Sequence, residues 1–540
     1  MKIKYFFSFL LCTIFLNDHS QITNETVEVV FKDLVDAFGR PFTKPPSWKI
    51  DDNKLNILSY SPNKKNIKID PEVLSICQTF GKDSLNALAF LLGHELAHHY
   101  QGHGIDLLKD FNTREFSFKN NLIYKSDSSG YYRKKADALK RETNADLIGG
   151  FKSHIAGYNS LPIAPKLMDI LYRYYNKDTI ETSYPSLVER KNMCIKQIEK
   201  LEKYKAIFDG ASYAMFSGYY KGAINAYLYI LEANNGFKSR EIYNNLGLAY
   251  MLEAFSIINK EKNINLGYPF EYDAKTRLSL GETRGGSNIS NNEIITKLLE
   301  KSRNEFNLAI MLDKDYKPAY LNLSCNYSLL AEIEEDENDK KEEHLKTALK
   351  KLEKYGETES NESLILSGIL DVQLNNENKA KKKFIQASKN GSELAEINLS
   401  ILDSGKIEKA PIIEPKKETI KSDINLYLDI EINQPDFKRR LADSHTLFYK
   451  EFESYMAYFF IDKETKNNVK FLIQIIKGDD HVTRKGVKIN DNVKTVLEKY
   501  GNPAIIRGNK AEHYWYENSN IVFFVKDKKV TKWLVYASYD

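Results

Sequence analysis

Four cysteines in 540 residues are too few and too scattered for a disulfide framework. Cys77, Cys194 and Cys325 show no metal or redox spacing, so they read as buried free thiols. Charge of one sign is also scarce. The 78 Lys+Arg against 74 Asp+Glu leave a formal +4, which excludes a strongly basic, nucleic-acid-type footprint. No apolar run approaches 18 residues and the mean hydropathy is −0.48, which excludes a polytopic membrane protein. What is present excludes global disorder: 42% hydrophobic and 12% aromatic residues. A chain of 540 residues exceeds one ordinary core, and three or four domains are expected.

The N-terminus reads as a signal peptide over residues 1–20. Lys2 and Lys4 precede 12 apolar residues, Tyr5 to Leu16, and a polar stretch follows. As a helix that run rises about 18 Å, too short to cross a bilayer. Cleavage after Ser20 fits, although Asp18 at the −3 position is unfavourable. Cys12 is a poor lipidation site because Leu11 before it is too large. Export to a periplasm or cell envelope is the expectation, ahead of full secretion.

Residues 21–203 mix short strands with helices. Asn56–Leu58 and Ile67–Ile69 are strand-like and separated by a turn-like Ser-Pro-Asn-Lys-Lys. Asp83-Ser84 opens a helix whose apolar positions include Leu85, Leu88, Leu91, Leu92 and Leu96. Arg133 to Ile148 is again helical, up to Gly149-Gly150. Residues 204–405 change to paired amphipathic helices. Tyr243, Leu246, Gly247 and Tyr250 match the first helix of a tetratricopeptide repeat, and Tyr320, Leu323, Ser324 and Tyr327 repeat it with Ser for Gly. Gly368, Ala380, Phe384 and Ala387 match small and aromatic positions of one such repeat, and Ala223, Ile224 and Tyr227 resemble a second helix. Residues 259–292 interrupt the array as a loop insertion. A linker follows at 406–424, and residues 425–540 are β-rich. They hold strands at Tyr455–Phe460, Phe471–Ile476, Ile521–Val525 and Trp533–Tyr536, and one short helix capped by Asn490 or Asp491. From about Gly486 onward this segment resembles the small module of the BamE/SmpA group, which implies binding or envelope assembly and no chemistry. The fold class expected is multidomain and α-rich: an α+β peptidase domain, a helical solenoid and a C-terminal α+β module.

The chemistry is concentrated in His94-Glu95-Leu96-Ala97-His98, an HExxH motif. On a helix, i and i+4 share a face, so His94 and His98 can present both imidazoles to one Zn²⁺. Glu95 sits one position round, where it reaches the metal's water instead. With ten His in 540 residues, a chance match arises on the order of 1% of the time. Glu142 and Asp146 form a second i, i+4 pair on another helix. One carboxylate can be the third ligand, and the other can hold a ligand imidazole from behind. A metzincin would need Gly and His where the chain has Gln101 and Gly104, so His99 and His103 are not expected as ligands.

HELAH followed 44 residues later by Glu-x-x-Ala-Asp resembles the gluzincin family that includes the HtpX and CAAX prenyl proteases and BepA. The resemblance covers roughly residues 45–200, and a following repeat array makes the architecture most like BepA. It implies one Zn²⁺ per chain on His94, His98 and Glu142, with Asp146 in the second shell and Glu95 as general base. Ser183-Tyr184-Pro185…Arg190 matches the family's Ser/Thr-His-Pro…Arg segment, except that Tyr184 replaces a histidine that can approach and regulate the zinc in BepA-like members. The family arginine, matched by Arg190, helps hold the active site; a tyrosine at 184 can donate to the oxyanion, ligate weakly or do neither, and on the first reading Tyr184 and Arg190 join Glu95 as expected catalytic groups. The implied function is a zinc metalloendopeptidase whose repeats recruit protein or peptide substrates, possible envelope partners engaging the repeats and the C-terminal module. No nucleic-acid partner is expected, nor any membrane span after signal removal. The alternative is a repeat scaffold or chaperone-like assembly factor with a latched or inactive peptidase domain.

Overall fold

The computed structural model describes residues 22–39, 44–51, 58–100, 128–174, 186–232, 239–262, 266–272, 291–334, 338–404, 438–440, 445–451, 455–462, 469–476, 481–501, 503–508 and 511–539. The signal-peptide reading, the 406–424 linker, His103 and Tyr184 all lie outside them. The chain divides into two compact units, Met1–Glu202 and Lys203–Asp540. Among the described residues no helix is long and apolar enough to cross a membrane.

Among the described residues the first helix is α1, Asn24–Phe38. Thr23 caps it, its hydroxyl accepting the Thr26 N–H, and Val27, Val30, Phe31 and Leu34 form the buried stripe. Strands β1 (Ser47–Ile50), β2 (Leu58–Ser61) and β3 (Asn66–Ile69) form a sheet in the order β1-β3-β2. β3 is central, parallel to β1 and antiparallel to β2, which leaves β2 as an edge. Helix α2 (Pro71–Gln78) starts with Asp70 as its cap and Pro71 in its first turn.

Helix α3, Ser84–Tyr100, runs through the centre of this unit. Every residue from Ala87 to Ala97 is buried, so the helix is apolar nearly all round. Leu85, read as part of the apolar face, is exposed instead. Helix α4 runs Ser128–Ile155, straight past the two glycines read as its end. These glycines are a crossing point. A Cβ on Gly149 would lie 2.4 Å from the Gly93 carbonyl carbon, and one on Gly93 would lie 2.6 Å from the Gly149 oxygen. Only side-chain-free residues allow the two backbones to meet so closely. Ser153 fastens the crossing, its hydroxyl lying 2.7 Å from Ala89 O and 2.8 Å from Gly149 O. Helix α5 (Ala164–Tyr174) follows, then α6 (Leu187–Phe216), which contains the division between the units.

The second unit combines helices and sheet. After the end of α6 come α7 (Tyr220–Glu232), α8 (Arg240–Lys262), a two-residue strand β4 (Glu271–Tyr272), α9 (Asn291–Leu312), α10 (Lys317–Ile333), α11 (Asn338–Tyr355), α12 (Asn361–Gln373), α13 (Glu377–Lys389) and α14 (Glu393–Ser404). Successive helices pack as pairs, and the small residues picked from sequence lie at their contacts. A Cβ on Gly247 would meet the Phe306 ring at 2.8 Å, and one on Gly368 would meet the Phe384 ring at 2.5 Å. Ser324, standing where a repeat would have glycine, donates to Ala348 O on the facing helix at 2.7 Å.

The sheet holds β5 (Lys438–Arg440), β6 (His445–Glu451), β7 (Tyr455–Asp462), β8 (Val469–Ile476), then, after helix α15 (Val493–Tyr500), β9 (Ala504–Gly508), β10 (Ala511–Tyr516), β11 (Ile521–Lys526) and β12 (Lys529–Tyr539). Its order is β4-β9-β10-β11-β12-β8-β7-β6-β5. All pairs are antiparallel except β4 with β9. β4 comes from the span read as a loop insertion, so that span contributes a strand to the C-terminal sheet. Asn492, rather than Asn490 or Asp491, caps α15. Asp527 and Lys528 both take positive φ, the requirement of a tight two-residue hairpin. Aromatic contacts join helix and sheet. Phe216 at the end of α6 stacks on His513 of β10 at 4.1 Å, and Tyr213 meets Tyr458 of β7 at 5.4 Å. The helical and β-rich spans, read as separate domains, thus pack within one unit. Cys77, Cys194 and Cys325 are free and buried, and burial pushes the first two thiols up to about 12.

Alanine at an interior helix glycine ordinarily stabilises by about 1 kcal/mol. Gly149→Ala is expected to reverse that sign and cost about 1–3 kcal/mol through overpacking. Urea unfolding checks it, and a stabilised variant would show that the helices are not in contact there.

Candidate metal centre

The glycine crossing brings α4 against α3 at the residue directly before the HExxH motif. His94 and His98 of α3 and Glu142 of α4 offer donor atoms that all lie within 4.8 Å of one another. His94 Nε2 and His98 Nε2 are 3.0 Å apart, and Glu142 stands 3.3 Å from the first and 3.5 Å from the second. Ligands at 2.0–2.1 Å from a tetrahedral ion stand about 3.3 Å apart, so this spacing fits a small divalent cation. Two imidazoles and one carboxylate are also the donor set of a three-ligand site with an open fourth position. The group can hold a metal ion.

Behind the ligands lies a buried charged layer. Asp146 Oδ1 is 2.8 Å from His94 Nδ1, which fixes the tautomer and leaves Nε2 free to donate its lone pair. The residue pair left open in sequence is thereby sorted: Glu142 faces the imidazole tips and Asp146 the far side of one ring. Arg190 joins them, with Nη1 3.1 Å from Glu142 Oε2 and Nη2 2.6 Å from Asp146 Oδ1. This is the holding role that the resemblance implies for Arg190, rather than the oxyanion role considered beside it. Its guanidinium is buried and bonded to both carboxylates, so it positions ligands rather than touching a reacting atom. Ser186 donates through its N–H and hydroxyl to Glu189 while Glu189 N–H bonds back to the hydroxyl, a capping box that begins α6 just before Arg190.

The electrostatics follow from this layering. Burial alone would lower His94, but the Asp146 and Glu142 carboxylates outweigh it and push it up to about 10 in the metal-free chain. Burial would raise Glu142, yet its bond to His94 and the charges of His94, His98 and Arg190 hold it well below the usual carboxylate range. A carboxylate kept ionised is what a ligand must be. Glu95 differs. Burial lifts its carboxyl to about 7, against the opposing pull of His94.

Glu95 Oε2 accepts the Tyr60 backbone N–H at 2.7 Å. Tyr60 lies on the β2 edge strand, and its hydroxyl is 2.8 Å from His99 Nδ1. His99 Nε2 donates to Lys44 O at 3.0 Å, so Nδ1 is the acceptor of the tyrosine proton. Both ring nitrogens of His99 are thus engaged, and the ring is buried. Tyr60 escaped the sequence reading because a tyrosine on a short strand carries no motif. The glycine crossing escaped it because glycines inside a helical run read as a stop.

No protein-family model matches this chain, and no curated protein or solved structure matches it.

Asp146→Asn is expected to weaken binding of zinc, as probe ion, by about 10–100-fold. Glu142→Ala should lose stoichiometric metal. Competition titration and metal analysis check both, and unchanged affinity in the first variant would separate Asp146 from the site.

Proposed function

We propose that the chain is a zinc metalloendopeptidase of the gluzincin type. The observation that carries the proposal is the convergence of His94, His98 and Glu142, with a buried carboxylate, Glu95, on the adjoining helical position. A zinc ion on those three ligands would supply a Lewis acid for the scissile carbonyl and a water of lowered pKa. The chain's own residues do the rest. Asp146 and Arg190 hold the ligands in place. Glu95 takes the water's proton on its carboxylate and delivers it to the leaving amine. A carboxyl near 7 suits both halves of that exchange, since the same group must accept and then release a proton. The β2 edge beside Glu95 suits an extended polypeptide, which would pair there as an added strand. Tyr184 remains the proposed oxyanion donor.

Tetratricopeptide-like repeats recruiting protein substrates, and export to a periplasm or envelope, complete the proposal. The small-to-aromatic helix contacts support the repeats, and the basic-apolar N-terminal pattern supports export. The rival scaffold reading has no use for a buried general base beside two ligands.

Glu95→Gln is expected to keep zinc and to lower cleavage of casein by about 10²-fold or more. Proteolysis at the original rate would remove Glu95 from the mechanism. A variant that is inactive yet restores a deletion strain in full would favour the scaffold.

A further inference from the structure

Helices α8, α10, α12 and α14, the first members of the successive pairs, pack against one another and form one face of the helical array. Residues 266–272, between α8 and α9, lie along that face. They are held there in an unusual way. Asn398 of α14 accepts the Gly267 N–H at 2.7 Å and donates to the Gly267 carbonyl at 3.0 Å. Asn322 of α10 treats Glu271 identically, accepting its N–H at 2.9 Å and donating to its carbonyl at 2.6 Å. Asn244 of α8 adds a second donor to the Glu271 carbonyl at 3.1 Å.

Asn398 and Asn322 thus each grip both polar groups of one peptide residue. Such a grip reads main chain, which every peptide has, and ignores side-chain identity. Between the two clamps the contacts are aromatic. Tyr268 and Phe270 are buried, both rings meet Phe255 edge-on, and the Tyr268 hydroxyl donates to Ser328 at 3.0 Å, whose own proton goes to Gln373. Gly267 fits because a Cβ there would strike Leu394 at 2.4 Å. The arrangement is that of an extended ligand in a groove, with backbone bonds giving affinity and pockets giving preference.

We propose that this helical face is a binding groove for an extended, aromatic-rich peptide, and that residues 267–272 are its resident intramolecular ligand. The external partner is a segment with a small residue followed by aromatics one and three positions on. A tethered segment competes at an effective concentration on the order of millimolar, so an incoming peptide meets a groove already filled. Displacing the tethered strand also breaks the pairing of Glu271 and Tyr272 with β9, and the groove is autoinhibited until that happens. This inference does not rest on the peptidase reading.

The test uses the full chain carrying Tyr268→Gly and Phe270→Gly, and a labelled synthetic peptide with the sequence of residues 266–272. Fluorescence anisotropy should show the peptide binding this variant at least about 10-fold more tightly than the unsubstituted chain. Adding Asn322→Ala and Asn398→Ala to the variant should weaken binding by about 10-fold or more, since four backbone bonds are lost. Equally weak binding to both chains, with helical circular dichroism intact, overturns the proposal and makes the segment a fixed part of the fold. Should the glycine variant lose its helical signal, hydrogen exchange on the unsubstituted chain decides. Saturating peptide should accelerate exchange at the Gly267 and Glu271 amides, and unchanged exchange overturns the proposal. No readout involves metal or hydrolysis, so this outcome and that of the peptidase test are independent.

Discussion

Two helix backbones in contact at Gly93 and Gly149 are the constraint on which the site depends. His94 follows one glycine directly, while Asp146 and Glu142 precede the other by one and two turns. The approach distance at the glycines therefore sets the distance from imidazole to carboxylate. Any side chain at the crossing would lever the helices apart, and the donor atoms would separate with them. Packing density does the rest, because an interior this close-packed passes displacement on rather than absorbing it.

Around that crossing the unit accepts an expensive arrangement. Two carboxylates, a guanidinium and an imidazole are removed from water together, and each alone would cost several kcal/mol to bury. The layering makes this tolerable. Arg190 faces both carboxylates, Asp146 faces both Arg190 and His94, and Glu142 faces the imidazole tips. Arg190 thus bridges the Glu142 and Asp146 carboxylates. Networks of this kind add little to net stability, but they fix one geometry, which a metal site needs more than it needs stability.

Much of this was legible in the sequence because the relevant periods are short. The i, i+4 spacing of His94 and His98, and of Glu142 and Asp146, needs only helix geometry to become a shared face. The small-to-aromatic pair of Gly368 and Phe384 was readable because its offset belongs to one repeat, whereas Gly247 was readable as a small position without its partner Phe306. Long-range partners were not. Arg190 entered the site only through the family resemblance, because its bond to Glu142 spans 48 residues. That β4 joins β9 depends on a pairing between Glu271 and Arg507, and a two-residue strand has no pattern to read. Leu85 shows the limit of periodicity: it keeps the apolar spacing but falls at the helix start, outside the core. Nothing local marks Asn322 or Asn398, because the partner of each is a distant backbone.

Tyr60 binds one strand position to the proposed chemistry twice over, through its N–H to Glu95 and its hydroxyl to His99. Side chains alternate along a strand, so a slip of one residue would turn the ring to the opposite face and present a different amide. The turn at residues 62–65 sets that register, with Lys65 in the left-handed region. Surface turns are normally where chains gain and lose residues most freely. Here a single insertion would move the residue opposite Glu95, so this turn should be nearly as fixed in length as the metal ligands are in identity.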